Sequence, residues 1–277
     1  MTTSGINGAT RLYGIIGNPI VQVRSPETFT QGFAATGVNA VMLPIQVLPE
    51  QFDLSVRGLM ALGNLDGLLV TVPYKARMVA FADRLGDTAR CIGAINALRR
   101  EADGTWTGDI FDGAGFIIGA QRKGNVLAGR RVALFGTGGA GSAIACGLVT
   151  AGVASVALID PVSDRAQALA DALRRTYPAC KVEPVAAVPE GCNMIVNAST
   201  VGMHPDDGLP GDIGPLGPDT VIGDVINTDR ETPMVNHAIR YGCRYVTGKD
   251  MHAGQGDALL AFFAAARAPG AQPATAR

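Results

Sequence analysis

A chain of 277 residues is long enough for one large domain or two modest ones, because single hydrophobic cores stop growing at roughly 250 to 300 residues. With 17% charged and 47% hydrophobic residues and 36 glycines, it reads as a compact α/β protein with many tight turns, which excludes a chain disordered along its length. A formal net charge of -1 without any Lys/Arg run excludes the electrostatic footprint of nucleic-acid or anionic-membrane binding, so the expected partner is a small-molecule substrate.

The five cysteines, Cys91, Cys146, Cys180, Cys192 and Cys243, are odd in number and form no CxxC pair. Neither a disulfide framework nor a zinc site is expected from them. His204, His237 and His252 also lack ligand spacing, so no metal is expected. The first ten residues lack the basic start and apolar core of a leader, and no stretch approaches the roughly 18 apolar residues of a membrane span. A cytoplasmic protein, monomeric or homodimeric, is the expectation.

From Arg11 onward, β-rich runs alternate with amphipathic ones: a strand over 12–16, a helix after Pro26, a strand over 40–43, a helix near 51–62 and a strand over 67–72. This rhythm predicts a βαβ sheet. After Ala97 it breaks into a polar hairpin at 99–106, a Gly-rich passage at 108–115 and an apolar stretch at 116–120, where the first domain boundary is placed. A second βαβ series starts at Arg131, with strands at 132–135, 156–159, 194–197, 221–225 and 244–246. Between them Ala166, Leu169, Ala170 and Leu173 share one helical face behind Asp164, read as an N-cap. The helix over 255–267 is apolar enough to pack back on a core, and the tail after Ala268 is expected to be disordered.

The strand at 132–135 runs straight into Gly136, Thr137, Gly138, Gly139, Ala140 and Gly141, a complete GxGxxG followed by a helical run. The first glycine permits the turn, the second lets backbone N–H groups approach a pyrophosphate, and the third lets helix pack on strand. Asp160 ends the next strand 22 residues after Gly138, the spacing of an acid that binds the adenosine ribose hydroxyls. A carboxylate there repels the extra phosphate of NADP, so NAD is the expected cofactor. Lys75 and Asp112 lie on loops toward the carboxyl edge of the sheet, where ligands bind in open α/β folds. On residue type alone, a surface lysine and a turn-forming aspartate remain open.

Six runs taken in order resemble the shikimate/quinate dehydrogenase family over nearly the whole chain: Gly17, Asn18, Pro19 and Ile20 with Ser25 and Pro26; Val70 to Lys75; Gly93 to Asn96; Asp112 with Gly113; Asn197 to Met203; and Gly248 to Gln255. The resemblance implies two domains, an N-terminal parallel-sheet substrate domain over 1–112 plus 250–277 and a Rossmann NAD-binding domain over 113–249. It implies Lys75 and Asp112 as the catalytic pair, with Ser25, Thr71, Asn96 and Gln255 holding substrate. Gly136, Gly138, Gly139, Ala140, Asp160, Ser199, Val225 and Gly248 line the cofactor by the same implication.

Such a protein moves a hydride between NAD and a secondary hydroxyl of a cyclic hydroxy acid, shikimate, quinate or a related compound. A group beside the alcohol oxygen must take its proton or stabilise its developing charge, and a lysine suits either task. The chain departs from the family pattern at Val23, where a hydroxyl residue is usual, and at Leu69, Ile110, Phe111 and Asn227. These changes read either as an altered substrate pocket or as packing changes. An NAD-binding regulator that kept the fold and lost the chemistry is the alternative, against which retention of Lys75, Asp112, Asn96 and Gln255 speaks.

Overall fold

The computed structural model describes residues 5–266, so the tail after Ala268 lies outside the described residues. The chain divides into two compact units, one reaching to Ile110 and resuming at Ala258, the other formed by Phe111–Asp257. The expected breaks fall two and eight residues later and earlier, at 112 and 250, so Asp112 and Gln255 count with the second unit instead of the first.

The first unit contains a six-stranded sheet built from β1 (Arg11–Gly17), β2 (Ala40–Gln46), β3 (Leu65–Val70), β4 (Arg84–Leu85), β5 (Ala97–Arg100) and β6 (Trp106–Asp109), ordered β2-β1-β3-β5-β6-β4. β1 pairs in parallel with β2 and β3. The polar hairpin becomes β5 and β6, which join β3 and each other antiparallel. Its tip turns at Gly104, whose φ of 85° suits a residue without Cβ. Both faces of β1 are covered, as its run of buried residues requires. On one side Ile16, Leu68, Tyr74, Met78 and Trp106 pack with Phe52 and Val56 of α2 (Phe52–Met60). On the other, Phe29 and Phe33 of α1 (Ser25–Ala35) meet Tyr13 and Phe263, with the Tyr13 and Phe263 rings 4.9 Å apart. Phe263 belongs to the C-terminal helix α8 (Gly248–Ala265), so this apolar helix does pack back on a core. Each such buried ring contributes about 1.5–3 kcal/mol of hydrophobic stabilisation. A short helix, α3 (Asp87–Ile92), ends on Gly93 at φ 68° and leads into Asn96.

The second unit is a fully parallel sheet of β7 (Arg131–Phe135), β8 (Ser155–Ile159), β9 (Lys181–Pro184), β10 (Met194–Asn197), β11 (Val221–Asp224) and β12 (Arg244–Val246), ordered β12-β11-β10-β7-β8-β9. The chain steps outward from β7 through β8 to β9, then returns beside β7 as β10. The crevice at the carboxyl ends of β7 and β10 is therefore a topological switch point, where open sheets bind ligands. β9, which the sequence does not predict, ends in a proline, a residue that argues against a strand and is tolerated here at the sheet edge.

Helices α4 (Asp112–Arg122), α5 (Gly139–Thr150), α6 (Ser163–Thr176) and α7 (Pro233–Arg240) complete this unit. The expected face of α6 is buried at Ala166, Leu169, Ala170 and Leu173. Its N-cap position is Val162, not Asp164, and no side chain caps it. Asp160 takes the Val162 N–H at 2.9 Å and fixes the helix entry, which leaves Asp164 in the first turn, where its charge suits the helix dipole. Glycines decide why α4 belongs here. A Cβ on Gly113 would overlap the Ala143 carbonyl of α5, and Cβ atoms on Gly115 and Gly119 would come within 2.7 Å of the Met251 and Asp250 carbonyls of α8. α4 thus packs backbone-close against α5 and against the part of α8 that belongs to the second unit.

Candidate functional site

The glycine turn joins β7 to α5, and its three glycines differ in what surrounds them. Gly136 has φ 86°, and a Cβ there would meet the Ser199 nitrogen at 2.8 Å. A Cβ on Gly141 would overlap the Gly136 carbonyl, so this glycine serves the close packing of helix on strand. Around Gly138 and Gly139, by contrast, nothing lies within 4 Å of where a Cβ would be. Gly138 is also the N-cap of α5 and supplies no side-chain acceptor. Gly138 and Gly139 therefore leave room beside the start of α5, at the positive end of a helix dipole, the surroundings a pyrophosphate needs. The residues present fit a dinucleotide.

Asp160 stands at the edge of this turn with its side chain only 2% exposed. One carboxylate oxygen accepts the Thr137 N–H at 2.7 Å and the Thr137 hydroxyl at 2.8 Å, and Arg165 approaches it to 3.7 Å. Burial by itself pushes the Asp160 carboxyl up, but the N–H groups of Thr137 and Val162, the Thr137 hydroxyl and Arg165 outweigh it and hold the group below the usual carboxylate range. The acid is therefore ionised beside the turn. Thr137, buried and holding it, is a residue that the glycine pattern passed over as an "x".

The loops after β10 and β11 carry the other residues expected near the cofactor. Ser199 donates its hydroxyl to Asn197 at 2.7 Å and its N–H to the same oxygen at 3.1 Å. Val225 follows β11, its N–H bonded to the Asn197 carbonyl at 3.1 Å. Gly248 opens α8, and a Cβ there would overlap the backbone of Ile226, so its glycine is needed for two chain segments to cross. Ala140 sits in the first turn of α5, half-buried.

Asp112, 6% exposed, begins α4 and accepts a hydrogen bond from the Gln255 side-chain amide at 2.7 Å. Two residues 143 positions apart are joined because the glycines of α4 let α8 lie against it. In the first unit, three expected residues gather at the carboxyl ends of β1 and β3. The Thr71 N–H bonds to the Ile16 carbonyl at 2.9 Å, the Lys75 carbonyl takes the Ile95 N–H at 3.0 Å, and the Asn96 carbonyl takes the Val70 N–H at 2.8 Å. Tyr74, fully buried and stacked on Phe52 at 4.3 Å, anchors the turn that presents Lys75. Ser25 stands on a separate loop as the opening residue of α1.

The departures from the family pattern divide by burial. Leu69 and Ile110 are 4% and 3% exposed and belong to the packed interior, so they read as packing changes. Val23 instead lines a hollow of about 370 Å³ with Ile20, Val21, Arg24 and Pro26, and Asn227 is exposed. Among the described residues, no group of three or more His, Cys, Asp or Glu side chains is arranged to hold a metal ion, and no helix is long and apolar enough to cross a membrane.

Together the switch point, the open glycine turn and the acid beside it define an α/β protein of the dinucleotide-binding class. The first unit narrows this further: residues 15–98 match the family model described as the shikimate dehydrogenase substrate binding domain. A shikimate dehydrogenase (NADP+) of Rubrobacter xylanophilus is 35% identical over 260 residues, covering 92% of this chain and 91% of that protein. The chain belongs to the shikimate dehydrogenase family. Among solved structures, shikimate 5-dehydrogenase from Listeria monocytogenes in complex with shikimate and NAD has a TM-score of 0.86 at 26% identity, covering 94% of this chain and 93% of that one. The ligand-free 5-ketofructose reductase of Gluconobacter sp. strain CHM43 has a TM-score of 0.84 at 25% identity, covering 92% of each chain.

Proposed function

We propose that this protein is an NAD-preferring oxidoreductase that interconverts a secondary alcohol and a ketone on a cyclic hydroxy acid of the shikimate or quinate type. The observation that carries the cofactor reading is the ionised Asp160, its side chain enclosed at the edge of an open glycine turn. A 2′-phosphate brought to that edge would meet a fixed negative charge, whereas a ribose hydroxyl would find an acceptor. Arg165, half-exposed and 3.7 Å away, offsets part of this charge, which makes the preference one of degree. The Rubrobacter relative is named for NADP+ and the Listeria structure holds NAD, so both cofactors occur among the proteins this chain resembles.

Lys75 and Asp112 are the proposed catalytic pair, with Thr71, Asn96, Ser25 and Gln255 holding substrate hydroxyls and carboxylate. The dinucleotide supplies the hydride acceptor; the protein supplies position and proton handling. Lys75 takes the hydroxyl proton or donates a hydrogen bond to the forming oxyanion. Gln255, whose amide donates to Asp112, fixes the orientation of that carboxylate. Val23 presents a methyl surface where a hydrogen bond to a substrate carboxylate is otherwise available, and a lost bond to a charged group is worth roughly 1.5–3 kcal/mol. The affinity for shikimate itself is accordingly expected to be weak.

The test is the initial rate with NAD and with NADP on quinate, shikimate and a panel of cyclic and acyclic hydroxy acids and polyols. Turnover on a cyclic hydroxy acid with higher kcat/KM for NAD supports the reading. Turnover on an uncharged polyol alone would replace the substrate class. Tight NAD binding without turnover on any member would favour the regulator.

A further inference from the structure

The loops that follow β10 and β11 are tied at their roots by one buried carboxylate that no sequence motif singled out. Asp224 closes β11 and is 1% exposed. One of its oxygens accepts the Asn197 side-chain amide at 3.3 Å and the Ile226 N–H at 3.1 Å; the other accepts the Thr232 hydroxyl. Asn197, fully buried at the end of β10, spends its remaining groups on the next loop. Its amide donates to the Val201 carbonyl at 2.9 Å, and its oxygen accepts both the N–H and the hydroxyl of Ser199. Thr232 in turn caps α7 by accepting the Val235 N–H at 3.3 Å.

One chain of side chains therefore determines where residues 199–202 and 225–232 begin and end. Arg230 closes the same two loops farther out by donating to the Gly202 carbonyl at 2.6 Å. A parallel strand has no need of an acid at its last position, and an apolar residue would satisfy the ladder equally well. Burial pushes the Asp224 carboxyl up, and its hydrogen bonds from Thr232, Ile226 and Asn197, with Arg230 nearby, pull the other way. Keeping a costly buried acid is explained when its several acceptor sites hold together segments that lie beyond the strand ladder.

We propose that Asp224 is a positioning residue that fixes the spacing of the β10 and β11 loops and thereby sets the affinity for the dinucleotide. The inference rests on the proposed reading that these loops, through Ser199, Val225 and Gly248, line the cofactor. Asp224 itself is too buried to touch a reactant and acts through Asn197 and Thr232.

The experiment is calorimetric titration of NADH into the full chain as wild type, Asp224→Ala, Asp224→Asn, Thr232→Val and Thr232→Ser. Removing the acceptor leaves the Asn197 and Ile226 donors unpaired, so Asp224→Ala is expected to weaken NADH binding by about tenfold or more. Asp224→Asn keeps an oxygen for those donors and an amide for Thr232, and should stay within about threefold of wild type. Thr232→Val should fall between them and Thr232→Ser should restore wild-type affinity. At saturating NADH the KM for the hydroxy acid should change less than about twofold, and amide exchange should rise over 198–203 and 225–232 in Asp224→Ala. A general loss of structure would move both constants together.

A folded Asp224→Ala protein that binds NADH like the wild type overturns the proposal. If that variant does not fold, equal wild-type affinity in Thr232→Val and Thr232→Ser overturns it. Wild-type protein that binds neither NADH nor NADPH ends the cofactor reading itself, and this inference with it, whereas wild-type binding with indifferent variants ends this inference alone.

Discussion

The two units solve recognition in different materials. In the second, the candidate cofactor site is made mostly of backbone: an open glycine turn, the end of a helix, and loops pinned by Asn197 and Asp224, which are 0% and 1% exposed. In the first, the residues expected to meet substrate are side chains, Thr71 and Lys75 on a turn and Ser25 at the start of α1, half-buried and presented by an anchored but mixed sheet. A pyrophosphate is the same in every dinucleotide, so a site built of N–H groups tolerates sequence change around it. A substrate is read by its own hydroxyls and charges, so a single replacement such as the one proposed at Val23 would alter what fits. The difference points to the first unit as the place to test for substrate specificity.

The strongest way to break that contrast is Lys75→Ala. Loss of a proton-handling group is expected to lower kcat by about 10²- to 10⁴-fold, while NADH affinity measured by titration stays at the wild-type value. Turnover near that of the wild type would remove Lys75 from the chemistry. Next in size are paired glycine changes in the second unit. Gly141→Ala places a methyl on the Gly136 carbonyl and is expected to destabilise the fold by about 1–3 kcal/mol, read from urea unfolding. Gly139→Ala meets nothing within 4 Å, so its unfolding midpoint should be unchanged or higher. Its added methyl should still weaken NADH binding, by roughly tenfold if it displaces one charge-assisted hydrogen bond. Equal affinity in Gly139→Ala and wild type would show that the pyrophosphate does not approach this turn.

Asp160 sharpens the comparison on the cofactor side. Asp160→Ser should narrow the NAD-over-NADP ratio of kcat/KM by about tenfold, and an unchanged ratio would place the preference elsewhere. The smallest expected effect is on stability against pH. Because the folded state holds the Asp160 carboxyl below its unfolded value of about 3.9, the group contributes stability that is fully present above that pH. That contribution is lost as the pH falls through the lower folded value. The Tm gap between wild type and Asp160→Asn should therefore be larger at about pH 6 than at about pH 3. A gap that grew toward acid would contradict the hydrogen bonds assigned to this carboxylate.

Some of this was legible before any fold was in hand, because it is local. Alternation placed most strands of the second sheet within a residue or so, the 3.6 period gave the buried face of α6, and glycine spacing with an acid at the next strand end marked a turn able to cradle phosphate. The proline that ends β9 masks its strand pattern, and a capping side chain at Asp164 is what the sequence suggests for α6, whereas the helix starts from Val162 with no side-chain cap. The actual constraint on that helix entry is Asp160, reaching forward to Val162.

What only the tertiary structure decided depends on partners distant in sequence. Asp112 and Gln255, 143 residues apart, meet because Gly113, Gly115 and Gly119 remove the side chains that would hold α4 away from its neighbours. Leu69 and Ile110 read from sequence as either specificity or packing changes, and their burial places them in the packed interior. Thr137, Asn197, Asp224 and Thr232 carried weak signals, such as a threonine before the proline that begins α7, but their connection is a matter of strand ends laid side by side. A sequence fixes period, turn chemistry and charge along one dimension; which polar groups share a buried volume is set only when the sheet brings its strand ends together.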